Sequence, residues 1–160
     1  MLSDKIVFWW NEKSKSFVPV GGDVGSHLNR KILRHGTTEI AGWLSNDIQY
    51  NIQSVDIWIE NLTDLASGKS TDGNFGIGNA HWVMVTQDKV FIGCEYVEEQ
   101  QVLLTIEQTL YVLEQYRSFL TGSHTKDHQP EPIDVEYLAE GRDAVRQYEA
   151  LEGAYCLPYE

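Results

Sequence analysis

The residues of this chain with chemical potential are five histidines, two cysteines, twenty-four carboxylates and two glycine-rich stretches. Their spacing decides what they could do. Gly21-Gly22-Asp23-Val24-Gly25-Ser26 stands between a strand-like and a helix-like run, where backbone N–H groups could cradle a phosphate. It lacks the Gly-Lys-Ser/Thr ending, and Asp23 opposes a phosphate charge, so it reads as a tight turn. Gly73-Asn74-Phe75-Gly76-Ile77-Gly78 precedes a strand instead of a helix, and the stretch from Lys69 to Asn79 reads as a loop. His124-Thr125-Lys126-Asp127-His128 offers two imidazoles and a carboxylate at metal-compatible spacing. It falls between a helix stop and two prolines, and Lys126 dilutes its field, so no metal site is expected there. His81 reads as a packed or edge histidine and Cys94 as a buried thiol. Cys94 and Cys156 are too few and too far apart for a disulfide framework or a zinc site. There is no Gly-x-Ser-x-Gly elbow and no His-Glu-x-x-His. The expectation is a protein without catalysis and without a cofactor.

The carboxylates carry the opposite message. Asp56, Glu60 and Asp64 recur every four residues with no neighbouring Lys or Arg, and from Glu39 to Gly68 there are five acids and no base. Like charges at i, i+4 cost a helix about 0.2–0.5 kcal/mol per pair. That repulsion is small but unexplained by folding, because a solvated face ordinarily mixes signs; a plainly solvated face stays the alternative reading. The three acids are therefore candidates for a partner-binding surface, assisted by Glu98 and Glu99 on a bend further along.

Twenty-four acids against twelve bases give a net charge of −12, and the sequence pI is near 4.7. Such a surface repels phosphate backbones and anionic lipid and speeds association with basic proteins. Direct nucleic-acid and membrane binding are accordingly not expected. Five Trp, eight Tyr and five Phe within 42% hydrophobic residues mark a chain that folds. No apolar run approaches the roughly 20 residues of a membrane helix, and no basic–apolar leader is evident, so a cytoplasmic protein is expected, a monomer or weak dimer.

The elements that must position these residues follow from periodicity. Lys5 to Trp10 and Ser16 to Val20 read as a hairpin whose second strand, holding Pro19, sits at an edge. Ser26 to Leu33 has a short helical pattern, and Thr37-Thr38-Glu39 opens a second helix carrying Ile40, Ala41, Trp43, Leu44 and Ile48. A third helix starts from a Ser54 cap, with Val55, Trp58, Ile59, Leu62, Leu65 and Ala66 on its apolar stripe and Gly68 as its stop. His81–Thr86 and Lys89–Cys94 form an apolar, hence central, hairpin, and Val102-Leu103-Leu104 a last strand. Thr105 with Gln108 makes a capping box for a helix to Gly122, with Ile106, Leu110, Leu113, Arg117 and Leu120 along one stripe. A polar segment with two prolines then leads to an acidic helix over about Ile133 to Leu151. The fold class expected is α+β: an antiparallel sheet of four or five strands with helices on one face and a C-terminal helical arm. Residues 1–122 are read as the core domain, and 123–160 as a linker and acidic helix packed on or extending it.

The order of certain residues resembles a known group. Glu39-Ile40-Ala41-Gly42-Trp43-Leu44-x-x-Asp47-Ile48, Gly78-Asn79-x-x-x-Val83, Asp88-x-Val90-x-Ile92, Leu104-Thr105 and Leu113-x-x-Tyr116-x-x-Phe119-Leu120 resemble immunity proteins of bacterial contact-dependent growth inhibition and related polymorphic toxin systems. The resemblance spans about Thr37 to Leu120. It implies a cytosolic protein that binds and blocks the toxin domain of a delivered effector. Such toxins are commonly basic nucleases, to which an acidic surface is complementary. Toxin-contacting residues vary within the group and do not carry over by motif. The alternative is an acidic housekeeping or regulatory adaptor with no toxin partner; an enzyme acting on a cationic substrate ranks third.

Overall fold

The computed structural model describes residues 1–21, 35–68, 73–77, 81–94 and 100–151. The helix expected over Ser26 to Leu33 lies outside these residues. Strands β1 (Leu2–Asn11) and β2 (Ser16–Gly21) form the expected antiparallel hairpin. Pro19 stands opposite Phe8 on β2, which is an edge of its sheet. A proline there withholds no N–H from a further neighbour.

Helix α1 (His35–Gly42) runs directly into a π-helical turn, Trp43–Ile48. Ile40, Trp43, Leu44 and Ile48 are all buried. Helix α2 (Ile52–Ala66) begins one turn earlier than Ser54 would start it: the cap is Asn51, whose side chain accepts hydrogen bonds from the amides of Gln53 and Ser54. Gly68 follows the helix at φ +81°, the left-handed conformation expected of a C′ glycine. Trp58 is half-buried, edge-on to Trp43 with ring centres 5.3 Å apart.

Residues Gly73–Ile77, read as loop, are strand β3, paired antiparallel with β4 (His81–Thr86) through a register shift between Asn74 and Gly76. Glycine content hid the strand, because backbone pairing with a neighbour needs no side-chain alternation. β4, β5 (Lys89–Cys94) and β6 (Gln101–Thr105) follow as antiparallel neighbours. Helix α3 (Ile106–Thr121) carries the capping box as read: Thr105 accepts from the Gln108 amide while the Gln108 side chain accepts from the Thr105 amide.

The segment after the prolines departs from expectation. Ile133–Tyr137 is strand β7, Ala139–Glu140 strand β8, and only Gly141–Ala150 is helix, α4. Ile133, Val135 and Tyr137 are buried while Asp134 and Glu136 are exposed, a period of two that a helix cannot produce. The Tyr137, Leu138, Ala144, Val145 and Tyr148 spacing imitated a continuous helix across what is a strand pair and a turn.

The architecture is α+β with antiparallel sheets and a C-terminal helix. Among the described residues the strands divide between a three-stranded sheet, β2-β1-β7, and a five-stranded one, β3-β4-β5-β6-β8. The chain passes between the sheets at Leu138, whose amide donates to the Leu103 carbonyl. One face of the larger sheet, through Val83, Val85, Val90, Ile92, Val102 and Leu104, belongs to the main core with α1, α2, α3 and the smaller sheet. Its other face, with Trp82, Met84, Phe91 and Leu103, is covered by Ala144 and Tyr148 of α4. Both faces being covered explains why β4 and β5 are apolar without alternation. Trp82 lies across Gly93 so closely that a Cβ there would meet its ring at 2.1 Å.

Candidate functional site

Two features stand out, one inside the molecule and one outside. The inner one is built where α1 and the π-helical turn cross the start of β4. Residues 81, 83 and 85 share one face of the sheet, so His81 points with Val83 toward α1. There it meets Glu39 from α1 and Asp47 from the π-helical turn. His81 Nδ1 is 2.7 Å from Asp47 Oδ1, and the His81 amide donates to Asp47 Oδ2 at 3.2 Å. His81 Nε2 is 3.0 Å from Glu39 Oε1. Cys94 is the direct cross-strand partner of His81. Glu39 is 0% exposed, His81 3% and Cys94 6%.

The two carboxylates are held differently. Asp47 grips the imidazole and its backbone at once. Glu39 lies close to Nε2 but off its bonding axis, so neither of its oxygens has a hydrogen-bond partner among the described residues. The attraction between them is ionic and only weakly directional. Burial drives the Glu39 carboxyl up to about 7, against the opposing pull of His81. Burial alone would lower the His81 pKa, but the bond to Asp47, the close approach of Glu39 and the charges of both outweigh it and hold the ring up at about 10. Gly42 sits beside this group with ordinary helical angles, φ −63° and ψ −42°, so nothing in its backbone requires glycine. A Cβ there would stand 3.1 Å from His81 Nε2, so the ring would have to give by a few tenths of an ångström.

Two of the five acids between Glu39 and Gly68 are thus buried against His81, a base beyond the segment that the sequence count covered. The base-free run is not one exposed surface. Asp56 is also paired, against the expectation that no Lys or Arg reaches it. Arg117 Nε is 2.7 Å from Asp56 Oδ1, so Arg117 leaves the apolar stripe of α3 to bridge the two helices at the surface. An exposed pair of this kind is worth about 0–1 kcal/mol.

The outer feature is what remains on α2. Glu60 is exposed and Asp64 half-buried, and among the described residues neither has an ion-pair partner. On the same side lie Gln53 and Ile57, at the i, i+4, i+7, i+11 spacing of one helix face. Ile57 is 57% exposed and Tyr50, just before the helix, 47%. Glu98 and Glu99 lie outside the described residues. A second acidic strip appears where the arm packs: Asp4, Asp134 and Glu136 surround a cleft walled by Tyr111 on α3, with Lys5 bound to Asp134 at 2.7 Å.

The linker histidines do not converge. His124 stacks on Phe119 with its Nε2 3.1 Å from the Phe119 carbonyl, and His128 Nδ1 pairs with the Thr125 hydroxyl at 3.1 Å. Sequence reasoning missed the inner cluster and Ile57. The cluster has no local signature, since its members lie in four elements up to 55 positions apart. Ile57 did have one: an isoleucine off the Val55–Trp58–Leu62 stripe is out of place on a helix that packs by that stripe.

No family model matches the chain, and no curated protein or solved structure shows significant similarity to it. No helix among the described residues is long and apolar enough to cross a membrane.

Proposed function

We propose that this protein is a cytosolic immunity protein that binds and neutralises the basic toxin domain of a contact-dependent inhibition effector. The observation that carries the binding reading is the outward face of α2, where the exposed Ile57 stands with Glu60 and Asp64, carboxylates with no ion-pair partner among the described residues. Apolar anchors ringed by charge suit association: the anchor supplies affinity once desolvated, and the charges steer the encounter. The net charge of −12 adds a long-range field of the sign that attracts a nuclease. The toxin assignment itself rests on the sequence resemblance between Thr37 and Leu120, whose first block contains Glu39, Gly42 and Asp47.

The test is the product of the gene immediately upstream. Its C-terminal domain should arrest growth when expressed alone and be harmless when co-expressed with this protein, and the two should co-purify. Within such a complex, Glu60→Gln with Asp64→Asn should lower the association rate several-fold at low salt and hardly at all at high salt, where screening shortens to about 3 Å. Ile57→Ala should chiefly speed dissociation. Rates insensitive to both changes would move the contact to the cleft beside Tyr111. An upstream product with no toxic domain would favour the adaptor reading.

A further inference from the structure

We propose that Glu39, His81 and Cys94 form a buried site for a zinc-class divalent ion, with Asp47 as the residue that positions the histidine. One donor atom from each of the three lies within 4.8 Å of the others, the one such group among the described residues. The inference is independent of the partner-binding reading and concerns the inside of the molecule.

Four observations converge on it. The donors are a carboxylate oxygen, an imidazole nitrogen and a thiol sulfur, the mixture that suits zinc better than a hard ion such as calcium or magnesium. Glu39 is fully buried, yet apart from its 3.0 Å ionic contact with His81 both its oxygens lack a hydrogen-bond partner among the described residues, a costly state that a bound ion would relieve. The Glu39 Oε1 to His81 Nε2 separation of 3.0 Å, off the bonding axis, is close to the spacing of two ligands on one ion. Donors about 2.0–2.1 Å from a tetrahedral zinc stand about 3.3 Å apart. Lastly, Asp47 on the far nitrogen of the ring reproduces the carboxylate–histidine arrangement that orients metal-bound imidazoles.

Charge supports the same occupant. In the protein alone, two buried carboxylates face a single imidazole. With a divalent ion present, the Glu39 carboxylate and the Cys94 thiolate balance its two charges, and neutral His81 is the third ligand. The ion displaces the Cys94 thiol proton and the His81 Nε2 proton, both of which leave to solvent. Gly42 keeps open the space beside Nε2 that a methyl group would fill. Three protein donors leave a fourth position, which a water molecule would fill.

The experiment uses the full chain, unfolded in chelator and refolded with cobalt(II) as the probe. One equivalent should bind, with a near-ultraviolet thiolate-to-cobalt charge-transfer band, and one equivalent of zinc should erase that band. Cys94→Ser should abolish it, whereas Cys156→Ser should leave it intact. Asp47→Asn should keep the band and weaken affinity about 10–100-fold. Zinc should raise the melting temperature of the parent chain and not that of Cys94→Ser, a near-isosteric change whose fold is checked by its own cooperative melt. The absence of a charge-transfer band in the refolded parent, or a band that survives Cys94→Ser, overturns the site.

Discussion

Glu39 and His81 couple the stability of the metal-free chain to pH, and both act in the same direction. The Glu39 carboxyl is raised from 4.5 to about 7, so between those values the folded chain holds a proton that the unfolded chain has lost. His81 is raised from 6.5 to about 10, with the same consequence over the higher interval. Wherever the folded state binds more protons, stability falls as pH rises. Among the described residues the titratable groups beside the imidazole are Glu39, Asp47 and Cys94, none of them a base that would offset this trend. Urea melts in chelator should therefore give midpoints that fall from about pH 5 to about pH 9. Glu39→Gln should flatten the lower part of the curve and also shrink the upper part, because the Glu39 charge helps hold the His81 pKa up. Midpoints that rise over that range would show the cluster to be otherwise ionised. At the same scale, Gly93→Ala would force a methyl into the Trp82 ring, and it should destabilise by about 1–3 kcal/mol as an overpacked core substitution.

At the scale of the element, α2 has two edges of different character. Val55 and Leu62 are fully buried, with Trp58, Ile59 and Leu65 packed beside them, while Ile57, Glu60 and the exposed end carry nothing of the core. Its cap is a single side chain: Asn51 serves two amides, and Asn51→Ala should cost about 1 kcal/mol, seen as an equal loss in unfolding free energy. Ser54→Ala should cost less, because Ser54 is inside the first turn and donates its amide to Asn51. An equal effect of both changes would argue for a start at Ser54. Trp58→Ala should cost about 3 kcal/mol, at the low end for a core tryptophan, since the ring is only half-buried.

At the scale of the whole molecule, the last described segment is woven through both layers. β7 pairs with β1 over Ile6 to Leu2, β8 pairs with β6, and α4 covers the Trp82 face. Further ties are the Gly36 amide, which donates to Glu140 at 2.9 Å, and Thr37 to Tyr137 at 3.2 Å, which bind the segment to α1. A chain ending at Gly122 would expose Ile6, Trp82, Phe91 and Leu103 together. It should lose cooperative unfolding, checked by thermal melts followed in the near-ultraviolet and by binding of an apolar dye. A truncated chain that still melts cooperatively would make residues 123–160 an accessory.

What the sequence determined by itself was whatever is written within one element. The capping box at Thr105, the edge position of Pro19, the apolar β4–β5 hairpin and the stop at Gly68 depend on neighbours a few positions apart, and each was legible. So was the α+β class, from the succession of periods. Tertiary structure alone decided the rest, for three physical reasons. Backbone pairing made a strand of the glycine-rich Gly73–Ile77 and drew β7 to β1, because a ladder supplies hydrogen bonds that side-chain pattern does not announce. Packing of α2 on α3 brought Arg117 to Asp56, which turned an unpaired acid into half of an ion pair. Packing set Glu39 and Asp47 around His81, so Glu39 left the surface and Asp47 turned its carboxylate inward. Charge is counted along the chain, but its partner and its solvent are assigned only when distant elements meet.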